Sequence, residues 1–305
     1  MIGTVDPGDG QPPLTRDDLP TPPRRIRYCI CVARAGSLSG EAEPYRIFGT
    51  FGGLPFWQGG LTVVAAAPGA GKTSWLLQMT HAAAAANFPA AIACYEHTAQ
   101  ELKFRLGKQA EAIAWLHRGG QDRMAVEAEL GRGGEAVLLA LSGEEDTLRA
   151  VEESLIERYS FPRQGPALVC IDYLQRIPQT GDGLLAGTGG GGRQAMLPGS
   201  GGNGGGAAAG LRALARRGGW AIAAASALRR SSYRRAARLE DLLGDERLAY
   251  EPDRILYMHR AGAGGLDGSD RIEVQTIKDR TGPLNTRQAV FMGSSFYLHF
   301  LDEAR

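Results

Sequence analysis

Eight consecutive residues, Ala66-Ala67-Pro68-Gly69-Ala70-Gly71-Lys72-Thr73, have the spacing of a phosphate-wrapping loop, with alanine in the first glycine position. Small residues are needed there because backbone N–H groups must turn inward onto phosphate oxygens, which bulky side chains would block. An apolar run, Leu61 to Ala67, precedes the loop, and a stretch of helical composition, Lys72 to Ala86, follows it. The N-terminus of that helix is therefore aimed at the bound anion. The pattern predicts a nucleotide, ATP, held by Ala66, Pro68, Gly69, Ala70, Gly71, Lys72, Thr73 and Ser74. Lys72 is expected to reach the β- and γ-phosphates, and Thr73 to place its hydroxyl on Mg²⁺.

Two acids fit the same chemistry. Val169-Cys170-Ile171-Asp172 is an apolar run ending in a carboxylate, a second expected Mg²⁺ ligand when it ends a neighbouring parallel strand. Glu96 ends the apolar run Ala90 to Tyr95, which brings it to the same sheet edge. It reads either as a general base for an attacking water or as an acid favoured at a helix N-terminus. A basic cluster follows a fifth apolar run: Arg229, Arg230, Arg234, Arg235 and Arg238, with Tyr233 among them. It suits neutralised phosphates and one stacked base, or equally a solvated or subunit-facing helix.

The elements that must position these residues are legible as alternation. Apolar runs of strand length at 61–67, 90–95, 136–141, 167–171, 220–225 and 254–258 are separated by helical stretches at 72–86, 99–118 and 144–159. Strands alternating with helices predict an α/β fold with a mostly parallel sheet and helices on both faces. After Asp270, short strands at 271–277, 288–292 and 296–300 predict an antiparallel edge. Residues 45–60, where aromatics alternate with glycines, read as an ordered loop.

Residues 1–44 read as a Pro-rich disordered lead-in with a short strand near 25–33, and residues 45–305 as one ATPase domain. Within it, 14 glycines among residues 181–210 predict a mobile loop. The chain of 305 residues, 43% hydrophobic, is long enough for an ordinary packed core. A net charge of +1 leaves any nucleic-acid surface to local patches. No long apolar run and no basic-then-apolar leader are present, so no membrane span and a cytoplasmic location are expected. Cys29 and Cys31 lack the spacing and second pair of a zinc site, and all four cysteines are expected as free thiols.

With these residues in hand, the chain resembles the RecA-like motor domain of DnaB-type replicative helicases over roughly residues 45–301. The phosphate loop shares the alanine-first, proline-third form. Glu96-His97-Thr98-Ala99-Gln100-Glu101-Leu102, followed by Arg105, resembles the family's Glu-x-Ser-Ala-x-x-Leu helix start. Ile171-Asp172-Tyr173-Leu174-Gln175 is similar to its Walker B strand, Arg193-Gln194 to an Arg-Gln pair in the following loop, and Leu239 to Leu242 and Asp253 to later positions. Lys278-Asp279-Arg280-Thr281-Gly282-Pro283 resembles its Lys-x-Arg-x-Gly-Pro element.

The resemblance implies that Glu96 is the catalytic base and that Lys278 and Arg280 act in a neighbouring subunit's ATP site. It also implies a hexameric ring, single-stranded DNA contacts by Arg193, Arg229, Arg230, Arg234 and Arg235, and replication proteins as partners. Two departures stand out. Ser226-Ala227-Leu228-Arg229-Arg230 occupies the place of Ser-Gln-Leu-Asn-Arg, so alanine replaces the glutamine that senses γ-phosphate. Residues 1–44 are too short for the family's helical collar. The expected function is an ATP-hydrolysing single-stranded DNA helicase or translocase in replication, or, as the alternative, a regulatory or loader ATPase that does not unwind DNA.

Overall fold

A computed structural model describes residues 47–118, 127, 130–131, 136–178, 203–233, 238–244, 246–262 and 269–301. The expected lead-in at 1–44, the glycine-rich residues 181–202, Cys29, Cys31, Arg193, Arg234 and Arg235 lie outside the described residues.

Eleven strands are described: β1 (Ile47–Phe51), β2 (Leu54–Trp57), β3 (Leu61–Ala66), β4 (Ala90–Cys94), β5 (Val137–Ala140), β6 (Leu168–Asp172), β7 (Ala221–Ala227), β8 (Arg254–Gly262), β9 (Ser269–Asp279), β10 (Thr286–Met292) and β11 (Tyr297–Phe300). The helices are α1 (Lys72–Ala85), α2 (Ala99–Arg118), α3 (Leu148–Tyr159), α4 (Asn203–Gly218) and the short α5 (Arg247–Tyr250). Nine strands form one sheet in the order β11-β10-β9-β8-β3-β7-β6-β4-β5. Its strands from β8 to β5 run parallel, and β9, β10 and β11 add antiparallel to the β8 edge.

The central strands are uniformly apolar because both faces are covered. Every residue of β3, β4 and β6 is buried. Alternate residues feed two cores. Val64, Ala66, Ile92 and Cys170 meet Trp75, Leu76 and Met79 of α1 and Leu102 of α2. Val63, Ala65, Ile171 and Ile222 meet Leu148, Val151 and Leu155 of α3 and Leu211 and Leu214 of α4. Helices thus cover both faces.

Several boundaries differ from expectation. Within the stretch expected as an ordered loop, residues 47–57 form a hairpin, β1 paired with β2, with Phe51 edge-on to Phe56 at 5.3 Å. Helix α3 begins four residues later than expected, because Asp146 accepts the Ser142 and Gly143 N–H groups at 2.8 Å, closing a turn. Thr147 then caps the helix by accepting from the Ala150 N–H at 3.3 Å. Residues 203–210, expected as mobile loop, belong to α4, where Ala207 and Ala208 are buried against the sheet. Packing there overrides the low helix propensity of glycine. Strand β8 runs to Gly262 instead of Met258, because β9 pairs with it along that length. Cys94 and Cys170 are free and buried. Among the described residues, no helix is long and apolar enough to cross a membrane.

Candidate nucleotide site

The phosphate loop leaves β3 at its C-terminal end and turns directly into α1. The turn requires glycine at two positions. Gly69 has φ 73° and Gly71 φ 92°, and a Cβ on Gly71 would stand 3.1 Å from the Phe291 ring. Gly71 is also the N-cap of α1, with no side chain capping the first turn, so its N–H groups remain directed at the loop.

Lys72 folds back over the loop and donates to the Ala66 and Ala67 carbonyls at 3.0 and 3.1 Å. Burial lowers its pKa, while Asp172 and Glu96 act in the opposite direction. Thr73 Oγ1 donates to Asp172 Oδ2 at 2.7 Å across 99 residues of sequence. Asp172 is 1% exposed, and its Oδ1 has no hydrogen-bond partner. Burial raises its pKa, the Thr73 hydrogen bond lowers it, and Glu96 adds to the rise. A buried carboxylate with one orphaned oxygen beside a hydroxyl has the donor set of a hard divalent cation, so these residues fit Mg²⁺. The thiol of Cys94 donates to the same Oδ2 at 3.5 Å and is pushed up to about 12, mainly by burial.

Sheet register explains this convergence. Cys94 pairs with Asp172 across β4 and β6, and the Tyr95 N–H donates to the Asp172 carbonyl at 2.7 Å. Glu96 therefore leaves β4 at the level of Asp172. It is exposed and lines a cleft of about 390 Å³ together with Lys72, Thr73, Ser74 and Tyr173. Pro68, Gly69 and Gly71 line the same cleft, whereas Ala66 and Ala70 are buried beneath it.

The cleft is also lined by residues that sequence patterning did not single out: Phe291 of β10, and Gly293 and Phe296 from the β10–β11 turn. Phe291 alternates like any core residue, and Phe296 takes φ 53°, which the sequence does not announce. Arg105 of α2 stacks over the Phe296 ring, 5.0 Å from its centroid, and Gln109 donates to the Phe296 carbonyl at 2.7 Å. Ala227 also lines the cleft. Its N–H donates to Gln175 Oε1 at 3.1 Å, and Gln175 Nε2 donates to Ser226 Oγ at 2.9 Å. The Gln175 amide is thus committed to β7. Arg229 and Arg230 follow β7 at this same edge and are exposed, with Arg229 Nε donating to the Glu240 carbonyl at 3.1 Å.

Lys278 and Arg280 lie elsewhere. Arg280 N–H donates to the Asp253 carbonyl, and Asp253 N–H donates to the Leu61 carbonyl, each at 2.9 Å. They therefore stand at the N-terminal end of β3, about 17 Å of strand from the phosphate loop. Lys278 Nζ donates to the Ala249 and Tyr250 carbonyls at 2.7 Å, and Arg280 donates to the Tyr250 carbonyl as well. Desolvation, aided by the Arg280 charge, pushes the Lys278 pKa down to about 8.

A family model described as the DnaB-like helicase C terminal domain matches residues 50–299. Many solved structures share the fold. The ATPase domain of G40P has a TM-score of 0.63 and 19% identity, over 80% of this chain and 86% of that one. A DnaB-like replicative helicase, described with its interactions with primase, has a TM-score of 0.62 and 18% identity, over 79% of this chain and 57% of that one. None of the curated proteins matches the chain in sequence.

Proposed function

Because the chain belongs to the family of DnaB-like helicase C terminal domains and has their RecA-like fold, we propose that it is an ATP-hydrolysing motor. It works as a homo-oligomeric, six-membered ring that moves on single-stranded DNA during replication. The observation that carries this reading is the geometry of two half-sites. Thr73, Asp172, Lys72 and Glu96 converge at one edge of the sheet, while Lys278 and Arg280 stand at the other. No arginine side chain spans that strand length, so Arg280 can serve an ATP site only if a second copy presents it.

In the proposed reaction the loop N–H groups from Gly69 to Thr73 and the Lys72 ammonium hold the phosphates. Lys72 leaves the Ala66 and Ala67 carbonyls to do so. Ser74 supports the first turn of α1. Thr73 and Asp172 would hold Mg²⁺, which would offset negative charge on the phosphates. Glu96 orients the attacking water and accepts its proton. Lys278 and Arg280 from the neighbour stabilise charge on the transferred phosphoryl group. Arg229 and Arg230, with Arg193, Arg234 and Arg235, would contact the DNA backbone.

A second reading is favoured by Ala227. An alanine at the cleft cannot report γ-phosphate by hydrogen bonding, and the nearby Gln175 is already engaged. A RecA-fold ATPase that loads or regulates without unwinding would tolerate this. ATPase turnover measured with and without single-stranded DNA separates the two. Several-fold stimulation supports the motor, and unchanged turnover with intact ATP binding leaves the regulatory reading.

A further inference from the structure

His97 follows the proposed base directly, and the preceding mechanism gives it no role. Its neighbours are informative. Ligand atoms of Glu96, His97 and Asp172 all lie within 4.8 Å of one another. Around a tetrahedral ion with bonds near 2.1 Å, ligand atoms stand about 3.4 Å apart, a contraction that small rotations of an exposed Glu96 and a half-buried His97 supply. Asp172 Oδ1 is buried with no partner. His97 Nδ1 lies 3.8 Å from Glu101 Oε2, so with Nδ1 turned to that carboxylate the imidazole would offer Nε2 to an ion. Glu101 is itself fixed, since its Oε2 accepts from the Thr98 N–H at 2.8 Å and from the Thr98 hydroxyl at 3.0 Å. A carboxylate behind an imidazole is the usual outer partner of a metal-bound histidine.

We propose that Glu96, His97 and Asp172 form a second cation site, selective for a first-row transition ion of the Mn²⁺ to Zn²⁺ series over Mg²⁺. One imidazole nitrogen and two carboxylates suit such ions, and nitrogen ligation disfavours the harder Mg²⁺. The site shares Asp172 with the Thr73–Asp172 pair and engages Glu96, so an ion there withholds the base from the attacking water. That regulatory consequence rests on the ATPase reading. Binding itself does not.

The test uses the full chain without nucleotide, in excess Mg²⁺, with histidine labelled by ¹⁵N. Mn²⁺ is the probe, because thiols compete poorly for it. The expected result is one Mn²⁺ per chain, counted from loss of the free-ion spin resonance, with a histidine nitrogen coupling in the pulsed spectrum. His97→Asn should abolish the coupling and weaken binding, and Glu101→Gln should weaken it about tenfold while keeping the coupling. A bound Mn²⁺ without nitrogen coupling, or a coupling that survives in folded His97→Asn, overturns the proposal. If His97→Asn does not fold, unchanged affinity in Glu101→Gln overturns it equally. If binding is confirmed but the chain shows no ATPase activity, only the inhibitory role falls.

Discussion

Glu96 and Lys278 should behave differently under test, because the proposed mechanism sets one against the reacting water and has the other only present charge. Glu96→Gln keeps size and hydrogen bonding but removes the proton acceptor. Turnover should fall by roughly 10²- to 10⁴-fold with ATP affinity kept, as read by steady-state ATPase assay and nucleotide titration. A loss of affinity instead would assign Glu96 to binding. Lys278 has an ordinary value of 10.5 and a folded value of about 8. Between those values the unfolded chain keeps a proton that the folded chain has released, so Lys278 adds stability as pH rises through that window. The Asp253 and Glu251 charges act in the opposite direction. Thermal melts of wild type and Lys278→Met at about pH 7 and about pH 10 check the sign. Wild type should gain on the variant at the higher pH, and a constant difference would contradict the lowered pKa. The phosphate-loop spacing was legible at this scale because the turn itself demands small residues, with Gly69 and Gly71 at positive φ. Phe291 and Phe296 were not, because their positions depend on partners far along the chain, Gly71 for the first and Gln109 for the second.

At the scale of elements, the alternation of apolar strand and amphipathic helix was readable because the central strands are buried on both faces. The placement of α4 was hidden by its glycines, and the start of α3 by the turn that Asp146 closes. The strand termini carry one further structural device. Asp253 accepts the Leu61 N–H at 2.9 Å through Oδ2 and pairs with Arg212 of α4 through the same oxygen. Arg212 also donates to the Glu251 carbonyl at 3.2 Å, and both charged side chains are under 10% exposed. The N-terminal end of β3 and the middle of α4 thus meet at the Asp253 carboxylate, just before β8, and the segment carrying Arg280 meets the backbone carbonyl of the same residue. Asp253→Ala leaves Arg212 buried without its countercharge and should cost about 3–5 kcal/mol in denaturant unfolding. Pairing it with Arg212→Met should recover much of that loss. A single variant within about 0.5 kcal/mol of wild type would show that the pair does not hold these elements together.

For the whole molecule, the sequence contained Lys278 and Arg280 but not their place. Only the strand order and the antiparallel return of β9 along β8 put them at the edge opposite the phosphate loop. On the proposed reading the ATP site belongs to two chains, each supplying what the other lacks. Mixing Arg280→Ala chains with Lys72→Ala chains tests this most directly. Each variant alone should be inactive. In a mixed assembly, some interfaces join an intact phosphate loop to an intact Arg280, and ATPase activity should return in proportion to them. If mixed assemblies of proven stoichiometry stay as inactive as either parent, the shared site is contradicted.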